Sequence, residues 1–455
     1  MSELHPLDGG FMELEDTDRH ISLGIGATAI MAGPAPNRSE FVEWLRERID
    51  RVERLRERVR SSRWDLTAPV WEADPHFDLA HHIRWTALPE PNDESTLCEV
   101  IAAELAERLD RDHPLWQCVV VEHLAGDRWA LIVKAHHAMV DGISGITLFE
   151  RLCEPVDDDP VPVAAPKTRV PGAGRFDLAA KVVRLPVTAP RFAMAMARGL
   201  VPVVYAAVAA SGSSSLNGPI GRQRRYVVGR ASLAEVREIG AAFSASVNDV
   251  ALAAITSAYR ALLVRRGEDP AVERLRVLIP VSVRPSTADY VMDNRVSAII
   301  PHLPVEVRDP VERLTAVHAR VTHHRARGEA EAERSMLAVA ESLPYAVVAW
   351  AFRLAGHFPQ RSVAALATNV PGPRRQLTLN RRPVLEILPC IPIAMRLRTT
   401  IAILSYQERL VFGITGDYDT TPDIDLLAEG IESAISELLA LARGRREDRP
   451  VDPVG

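Results

Sequence analysis

A histidine pair followed at fixed spacing by an acidic residue and a glycine is the pattern best suited to chemistry in this sequence. It reads HHAMVDG and spans residues 136–142. Histidine titrates near neutral pH, so a positioned imidazole can take a proton from a hydroxyl or an amine. Asp141 supplies a carboxylate close by, and Gly142 permits a tight turn or the close approach of a substrate. The residue types predict base-assisted chemistry, with His136, His137, Asp141 and Gly142 as the candidate residues.

Strand geometry distinguishes the two histidines. Residues 130–135 have strand character and lead directly into the pair. Successive side chains of a strand face opposite sides, so His137 shares a face with Leu131 and Val133. His136 points to the other face. We therefore expect His137 to be the general base at the strand end, and His136 to serve packing or orientation.

Two further histidine pairs provide an internal comparison. His81 and His82 are adjacent, as are His323 and His324, but no Asp-Gly follows either pair at this spacing. A histidine in an apolar strand is usually a satisfied core residue, and we interpret both pairs as surface or packing histidines. The complete pattern at 136–142 is much rarer by composition alone, which favours a functional interpretation.

Nucleophilic and metal-dependent mechanisms find little support in the sequence. A serine hydrolase of the nucleophile-elbow type would carry GxSxG, which is absent from the sequence. Adjacent strand histidines diverge, and no third ligand is spaced with them, which disfavours a metal site. The four cysteines lack CxxC spacing, which argues against zinc and against a disulfide framework. We expect a substrate hydroxyl or amine to attack an activated acyl group, with no acyl-enzyme, cofactor or metal.

Length and composition set broader limits. With 455 residues the chain is too long for one ordinary core, and two domains of about 200 residues each are expected. Hydrophobic residues make up 47% and charged residues 25%, as in soluble globular proteins. The net charge of -6 gives no reason to expect a nucleic-acid partner. The N-terminus is polar and acidic, and no apolar run of about 20 residues is present. These features predict a cytoplasmic protein, or one attached peripherally to a membrane.

A linker is expected about a third of the way along the chain. Residues 154–174 are dense in proline, aspartate and glycine. The following segment, 175–210, has the pattern of a basic amphipathic helix, which could lie in a membrane interface or bridge two domains with a solvated basic face. We predict an N-terminal domain over 1–157, a connector over 158–224, a C-terminal domain over 225–445, and a disordered tail over 446–455.

Strands and helices are expected to alternate in both halves. Hydrophobic periodicity predicts strands at 21–31, 225–229, 275–283, 296–300 and 362–368, and hairpins at 117–135 and 399–415. It predicts helices at 41–59, 97–109, 232–243, 249–266, 311–325, 332–343 and 422–442. Asn248 has the residue type of an N-cap for the helix at 249–266.

Seven segments of the chain resemble, in the same order, motifs of the bacterial wax ester synthase/diacylglycerol acyltransferase family. This family is related to chloramphenicol acetyltransferases and to the condensation domains of peptide synthetases. The segments are PLDGGF near the N-terminus, LDRDHPLW at 109–116, HHAMVDG at 136–142, SVNDVALAAI at 246–255, PVSVRP at 280–285, DNRVS at 293–297 and TNVPGP at 368–373. The resemblance covers nearly the whole chain and is strongest to the triacylglycerol synthase type.

The resemblance implies an α/β (α+β) fold with two chloramphenicol-acetyltransferase-like domains. Each domain would be a mixed sheet flanked by helices, with a tunnel between the domains in which acyl-CoA and the acceptor meet at the second histidine of the motif. Asp141 would pair with an arginine, and Arg284 and Arg295 are the candidates. Asn248 and Asp249 would have an active-site or structural role. Asn369 and the residues after it would form a rigid turn or a wall of the tunnel.

The function that the resemblance implies is transfer of a long-chain acyl group from acyl-CoA. The acceptor would be diacylglycerol, giving triacylglycerol, or a long-chain alcohol, giving a wax ester. The partners would include a membrane or lipid-droplet surface. Two alternatives remain: a condensation-type transferase that takes acyl groups from carrier proteins, and an inactive lipid-binding relative.

Overall fold

The structure is a computed structural model. It describes residues 2–4, 6–61, 68–155, 214–271, 275–282, 296–325, 345, 349, 353 and 363–447. Several sequence predictions lie outside these ranges. They are the basic helix at 175–210, the helix at 332–343, and the candidate residues Arg284 and Arg295.

The described strands form three sheets. The strands are β1 (Ser2–Glu3), β2 (Gly24–Ala32), β3 (Glu57–Arg60), β4 (Val70–Ala73), β5 (Ile83–Ala87), β6 (Trp116–Leu124), β7 (Arg128–His136), β8 (Glu154–Pro155), β9 (Arg224–Ser232), β10 (Val277–Ser282), β11 (Val296–Ile299), β12 (Ala365–Pro371), β13 (Leu377–Leu379), β14 (Arg382–Cys390), β15 (Thr399–Tyr406) and β16 (Arg409–Asp417). The smallest sheet has the order β1-β4-β3.

The described helices pack on these sheets. They are α1 (Pro6–Thr17), α2 (Arg38–Ile49), α3 (Glu94–Ala106), α4 (Gly142–Leu152), α5 (Leu233–Phe243), α6 (Val247–Arg265), α7 (310–325) and α8 (Asp425–Glu447). Two short 3-10 helices, Glu53–Arg56 and Leu79–His82, join strands of the first half.

Two mixed sheets flanked by helices form the framework, which confirms the predicted fold class. The larger sheet has seven strands in the order β5-β6-β7-β2-β14-β13-β8, and the second has six in the order β11-β10-β12-β15-β16-β9. Both sheets combine parallel and antiparallel neighbours, because β5 is parallel to β6 and β12 is parallel to β10 and β15. The motif strand β7 lies inside the larger sheet between β6 and β2.

The chain returns from its second half to complete the first sheet. Strand β14 pairs with β2 over 384–390, and β13 pairs with β8. The two sheets meet there, since the Tyr226 hydroxyl on β9 donates to the Pro389 carbonyl on β14 at 2.9 Å. The division at 157 and 225 stays a prediction, but the predicted C-terminal unit contributes residues 377–390 to the sheet of the N-terminal half. The sequence analysis placed no strand there.

A buried ion cluster joins the same region. Arg230 on β9 donates to both Glu386 on β14 and Glu94 on α3, with the shortest distances 2.8 and 2.6 Å. The hydrogen bonds that Arg230 donates to Glu386 come first among the causes that raise the pKa of Arg230 above its ordinary value. A bidentate arginine between two carboxylates keeps both charges compensated in a partly buried place.

Two predicted boundaries are wrong. The predicted helix at 41–59 ends at Ile49, and the chain continues through a 3-10 turn into β3, which pairs with β4. Tertiary strand pairing there overrides the helical spacing of the apolar residues. Asn248 is not the N-cap of α6; Ser246 is, because its hydroxyl accepts from the Asp249 main-chain N–H while the Asp249 carboxylate accepts from the Ser246 N–H. Asn248 lies in the first helical turn.

Helix α6 is the most apolar long helix of the described part of the chain. By length and composition it could cross a membrane, but 67% of its apolar window is buried inside the protein. It packs against α8 and the second sheet, where the Tyr259 hydroxyl lies 2.7 Å from the Thr399 hydroxyl. These contacts are those of a core helix.

Candidate functional site

Strand β7 presents alternating side chains to two separate cores, as predicted. Leu131 and Ala135 belong to the core that contains α2 and α4, whereas Ala130 and Ile132 belong to the core that contains α3. Pairing continues one residue beyond the strand, because the His137 main-chain N–H donates to the Leu23 carbonyl at 2.9 Å. The local geometry therefore separates the two histidine side chains.

The His136 side chain is held firmly in the interior. It is 1% exposed, and its Nδ1 accepts a hydrogen bond from the Ala138 main-chain N–H at 3.0 Å. An Nδ1 that accepts carries no proton, so the neutral ring bears its hydrogen on Nε2. That atom lies 3.6 Å from a carboxylate oxygen of Glu15 on α1. His136 thus shapes the turn after the strand and faces away from solvent.

Glu15 is the buried anion that accompanies His136. Its carboxylate accepts from the Leu23 main-chain N–H at 2.9 Å and from the Arg111 guanidinium at 2.7 Å. Burial alone would raise the pKa of Glu15, but interaction with His136 and the hydrogen bonds from Leu23 and Arg111 together lower it to about 2. Glu15 is therefore a carboxylate at neutral pH.

The His137 ring lies in a different environment from its neighbour. It is half-buried and stacks on the ring of Phe11 from α1, with ring centroids 4.1 Å apart and an interplanar angle of 27°. Burial is the largest effect and lowers the pKa of His137; contact with its own main chain and the charge of Asp141 raise it, and a charge on His136 lowers it. A lowered pKa keeps the imidazole unprotonated at neutral pH, as a general base requires.

Asp141 begins the helix that follows the motif. It is buried, and its carboxylate accepts from the Ser144 main-chain N–H at 2.7 Å as the N-cap of α4. An aspartate there satisfies an orphan donor and complements the positive end of the helix. The predicted pairing with Arg284 or Arg295 stays a prediction, since both arginines lie outside the described residues.

Gly142 brings the two halves of the chain into contact. A Cβ at this position would lie 2.9 Å from Cγ2 of Val370, which belongs to β12 in the second sheet. The absence of a side chain therefore lets the start of α4 approach the NVPGP segment. The close approach of a substrate at Gly142 stays a prediction; the residue that approaches this glycine in the structure is Val370.

Asn248 and Asn369 meet across 121 residues of sequence. The Asn369 side-chain amide donates to the side-chain oxygen (Oδ1) of Asn248 at 3.1 Å. Asn248 Nδ2 is buried and makes no hydrogen bond within the described part of the chain. Because Val370 is the next residue of β12, the amide pair lies one residue from the contact with Gly142.

Asp249 has a structural position. It is buried within the reciprocal cap of α6 and also lies 2.9 Å from Nδ1 of His318 on α7. Burial acts to raise the pKa of Asp249, but the hydrogen bonds from His318 and Ser246 outweigh it and lower the pKa below its ordinary value. Asp249 thus ties two helices of the second half together.

The other histidine pairs have packing or surface positions. His82 is buried, lies between Trp116 and Phe77, and has its Nδ1 2.8 Å from the Trp116 carbonyl. His323 and His324 lie near the exposed end of α7. No cluster of three histidine, cysteine or acidic residues suited to a metal ion occurs in the described ranges.

Sequence analysis missed Phe11 and Glu15, which contact the histidine pair, and Arg111, which donates to Glu15. Phe11 and Arg111 lie in the PLDGGF and LDRDHPLW segments, which were noted without a role for either residue. Helix α1 was not predicted, because Gly9 and Gly10 lower helix propensity in its first half. Contacts between residues about a hundred positions apart leave no local signal.

A cavity with apolar walls lies on the His137 face of β7. Leu131, Val133 and Ala135 of the strand form one wall, and side chains of α2 and α4 form the other, among them Trp44 and Leu148. The motif strand therefore carries its second histidine at the edge of an apolar interior.

Two family models together match most of the chain. The model of the wax ester synthase/diacylglycerol acyltransferase catalytic domain matches residues 4–251, and the C-terminal domain model of the same family matches residues 292–439. The motif, Asn248 and the whole of α1 fall within the first match.

Relatives of similar length support the same assignment. A probable diacylglycerol O-acyltransferase of Mycobacterium tuberculosis is 42% identical over 454 residues, which cover 99% of this chain and 98% of that protein. The O-acyltransferase WSD of Acinetobacter baylyi is 26% identical, with 96% of each chain covered.

Solved structures share the fold. The wax ester synthase/diacylglycerol acyltransferase from Marinobacter aquaeolei VT8 superposes with a TM-score of 0.71 at 25% identity, covering 97% of this chain and 100% of that one. The starter condensation domain of rhizomide synthetase superposes with a TM-score of 0.60 at 14% identity, covering 100% and 96%. The family models and the extent of these similarities lead to one conclusion: the chain belongs to the wax ester synthase/diacylglycerol acyltransferase family and is an acyltransferase.

Proposed function

We propose that the protein transfers a long-chain acyl group from acyl-CoA to the hydroxyl of diacylglycerol, making triacylglycerol, and that His137 is the general base. Long-chain alcohols would be alternative acceptors that give wax esters. The observation that carries the proposal is the difference between the two histidines. His136 is buried and hydrogen-bonded in the interior, whereas His137 is half-buried at the edge of an apolar region. In a member of this acyltransferase family, that difference selects His137.

The reaction needs only the base and two substrates. The imidazole of His137 accepts the proton of the acceptor hydroxyl as the oxygen attacks the thioester carbonyl. The tetrahedral intermediate then breaks its carbon–sulfur bond, and CoA leaves as the thiolate. The imidazolium returns the proton to that sulfur, so the enzyme ends as it began. No acyl-enzyme forms and no cofactor is required.

The surrounding residues hold this base in place. The His137 main chain is bonded to Leu23, its ring rests on Phe11, and Asp141 anchors the helix that follows. Such preorganisation lowers the cost of reaching a reactive geometry. The side chains on the same face of β7 are apolar. We propose that acyl-CoA and the acceptor approach through a tunnel between the two halves, near the contact of Gly142 with Val370.

Measuring thiol release from a long-chain acyl-CoA with a panel of acceptors tests the proposal. We expect release to depend on added diacylglycerol or long-chain alcohol, with an ester product in equal amount. Water alone should support little release, because the mechanism has no acyl-enzyme to hydrolyse. The proposal would be contradicted by acceptor-independent release.

The two alternatives have distinct outcomes in the same assay. If the protein transferred acyl groups from an acyl carrier protein and did not use acyl-CoA, a condensation-type transferase would be favoured. Lipid binding without thiol release at any chain length or acceptor would favour an inactive relative. The condensation domain similarity supports the fold only, at 14% identity.

Cytoplasmic location with peripheral attachment to a membrane or lipid-droplet surface completes the proposal. It rests on the basic amphipathic pattern at 175–210. We expect the protein to sediment with anionic liposomes at low salt and to be released as ionic strength rises, because salt screens charges on the surface. Binding that is insensitive to salt would contradict the electrostatic contribution.

A further inference from the structure

We infer that helix α1 is the positioning element of the histidine pair, with Phe11 as a positioning residue that orients and shields the imidazole of His137. The inference rests on the proposed role of His137 as the base. It adds residues of the N-terminal helix to the site, which the motif alone does not reveal.

One face of α1 contacts both histidines. Phe11 and Glu15 are four residues apart, so they lie on the same side of the helix. Phe11 stacks on His137 at 4.1 Å between ring centroids, and Glu15 lies 3.6 Å from Nε2 of His136. A single rigid helix therefore fixes the two adjacent rings, although their side chains leave β7 in opposite directions.

Another face of α1 is attached to the second half of the chain. A Cβ on Gly9 would lie 2.6 Å from the Tyr345 ring, so the helix and this ring are in close contact. Glu13, four residues after Gly9, accepts from Arg353 at 2.5 Å and from the Tyr345 hydroxyl at 3.3 Å. Helix α1 is thus held between the histidine pair and residues of the second half.

In the part of the chain that the structure describes, the charged groups on α1 and on the motif have partners of their own. On α1 the buried carboxylates each act on an arginine: Asp8 on Arg54, Glu13 on Arg353 and Glu15 on Arg111. On the motif itself, Nδ1 of His136 accepts a hydrogen bond from the Ala138 main-chain N–H, and Asp141 caps α4. Shielding from water is therefore the main influence that Phe11 has on the base.

This shielding has a measurable consequence. Burial lowers the pKa of His137, and the Phe11 ring covers one side of the imidazole. Removing the ring admits water, which stabilises the imidazolium and moves the pKa of His137 upward toward its ordinary value. The base then becomes protonated at a higher pH than in the wild-type protein. The acid limb of the pH profile of kcat/KM therefore also moves to higher pH.

The test compares pH profiles of kcat/KM for thiol release in the full-length protein. We expect Phe11→Ala to lower kcat/KM at neutral pH by about tenfold, through loss of one ring contact, and to shift the acid limb to higher pH. Phe11→Tyr keeps the ring and should restore both properties. Phe11→Leu keeps apolar packing on α1, so it supplies a folded variant if alanine destabilises the protein, and its acid limb should lie between the other two.

A matched control is present elsewhere in the first half of the chain. Phe77 stacks on His82 with an interplanar angle of 25° and 5.4 Å between centroids, in a place where no chemistry is proposed. Phe77→Ala should leave the acid limb where the wild-type protein has it. An unchanged limb in Phe11→Ala and Phe11→Leu, or the same shift in Phe77→Ala, would overturn the inference.

The proposed function can fail independently of this inference. If His137→Ala released thiol at the wild-type rate, His137 would not be the base, and the proposed function would be contradicted. An inactive His137→Ala beside Phe11 variants with wild-type pH profiles would contradict only the positioning role.

Discussion

Replacing His137 by alanine is expected to lower kcat for thiol release by about 10²–10⁴, the range that general-base assistance typically contributes. Because the ring is only half-buried, we expect the melting temperature to change little. Activity and melting temperature measured on the same preparation separate loss of the base from loss of the fold.

The histidine pair His81 and His82 provides the control for this substitution. His82 is buried, stacks on Trp116 at 4.4 Å between centroids, and has its Nδ1 2.8 Å from the Trp116 carbonyl. His82→Ala should lower the melting temperature and leave kcat per folded molecule near the wild-type value. If His137→Ala retained wild-type kcat, or if both variants lost turnover equally, His137 would not be the base.

Replacing Glu15 by glutamine is expected to cost stability on the order of 3 kcal/mol at neutral pH, from the difference between its pKa of about 2 in the folded protein and the ordinary value of 4.5. The lowered pKa means that the ionised form is favoured by folding. The contribution of the ionised Glu15 carboxylate to the free energy of unfolding is fully present above pH 4.5 and is lost as the pH falls through 2. Urea unfolding at neutral pH measures the cost, and its decrease toward pH 3 measures the linkage.

Asp16 offers a matched control beside Glu15. Arg111 donates to both carboxylates, at 2.7 Å to Glu15 and at 2.9 Å to Asp16, but Glu15 is 1% exposed and Asp16 is 54% exposed. Exposed ion pairs contribute about 0–1 kcal/mol, so Asp16→Asn should change the free energy of unfolding little. Equal effects of the two substitutions would show that burial of the Glu15 charge is unimportant.

The N-terminal helix explains why two distant motif segments accompany the histidines. PLDGGF supplies Phe11 against His137, and LDRDHPLW supplies Arg111, which compensates Glu15 beside His136. Trp116 of the second segment is a core residue, as predicted, and its indole N–H donates to the Leu55 carbonyl at 2.8 Å. The motif order along the chain therefore reflects packing around one pair of side chains.

Local patterns in the sequence determined which histidine faces which core. Two-residue alternation along β7 is a property of the extended backbone, so Leu131 and His137 could be assigned to one side without knowledge of the fold. The same locality explains the correct hairpins at 117–135 and 399–415. It also explains the error at Asn248, because two good capping residues lie within three positions and the reciprocal bonds of Ser246 with Asp249 decide between them.

Only the tertiary structure brought Phe11 and Glu15 to the histidines, Val370 to Gly142, and Asn369 to Asn248. Each of these contacts joins segments far apart in the chain, and each depends on how helices pack and how β14 returns to the first sheet. Such contacts are selected by the burial of surfaces contributed by many elements at once. The sequence by itself determined the kind of chemistry expected and which histidine is the candidate base, whereas tertiary packing decided what holds that residue in place.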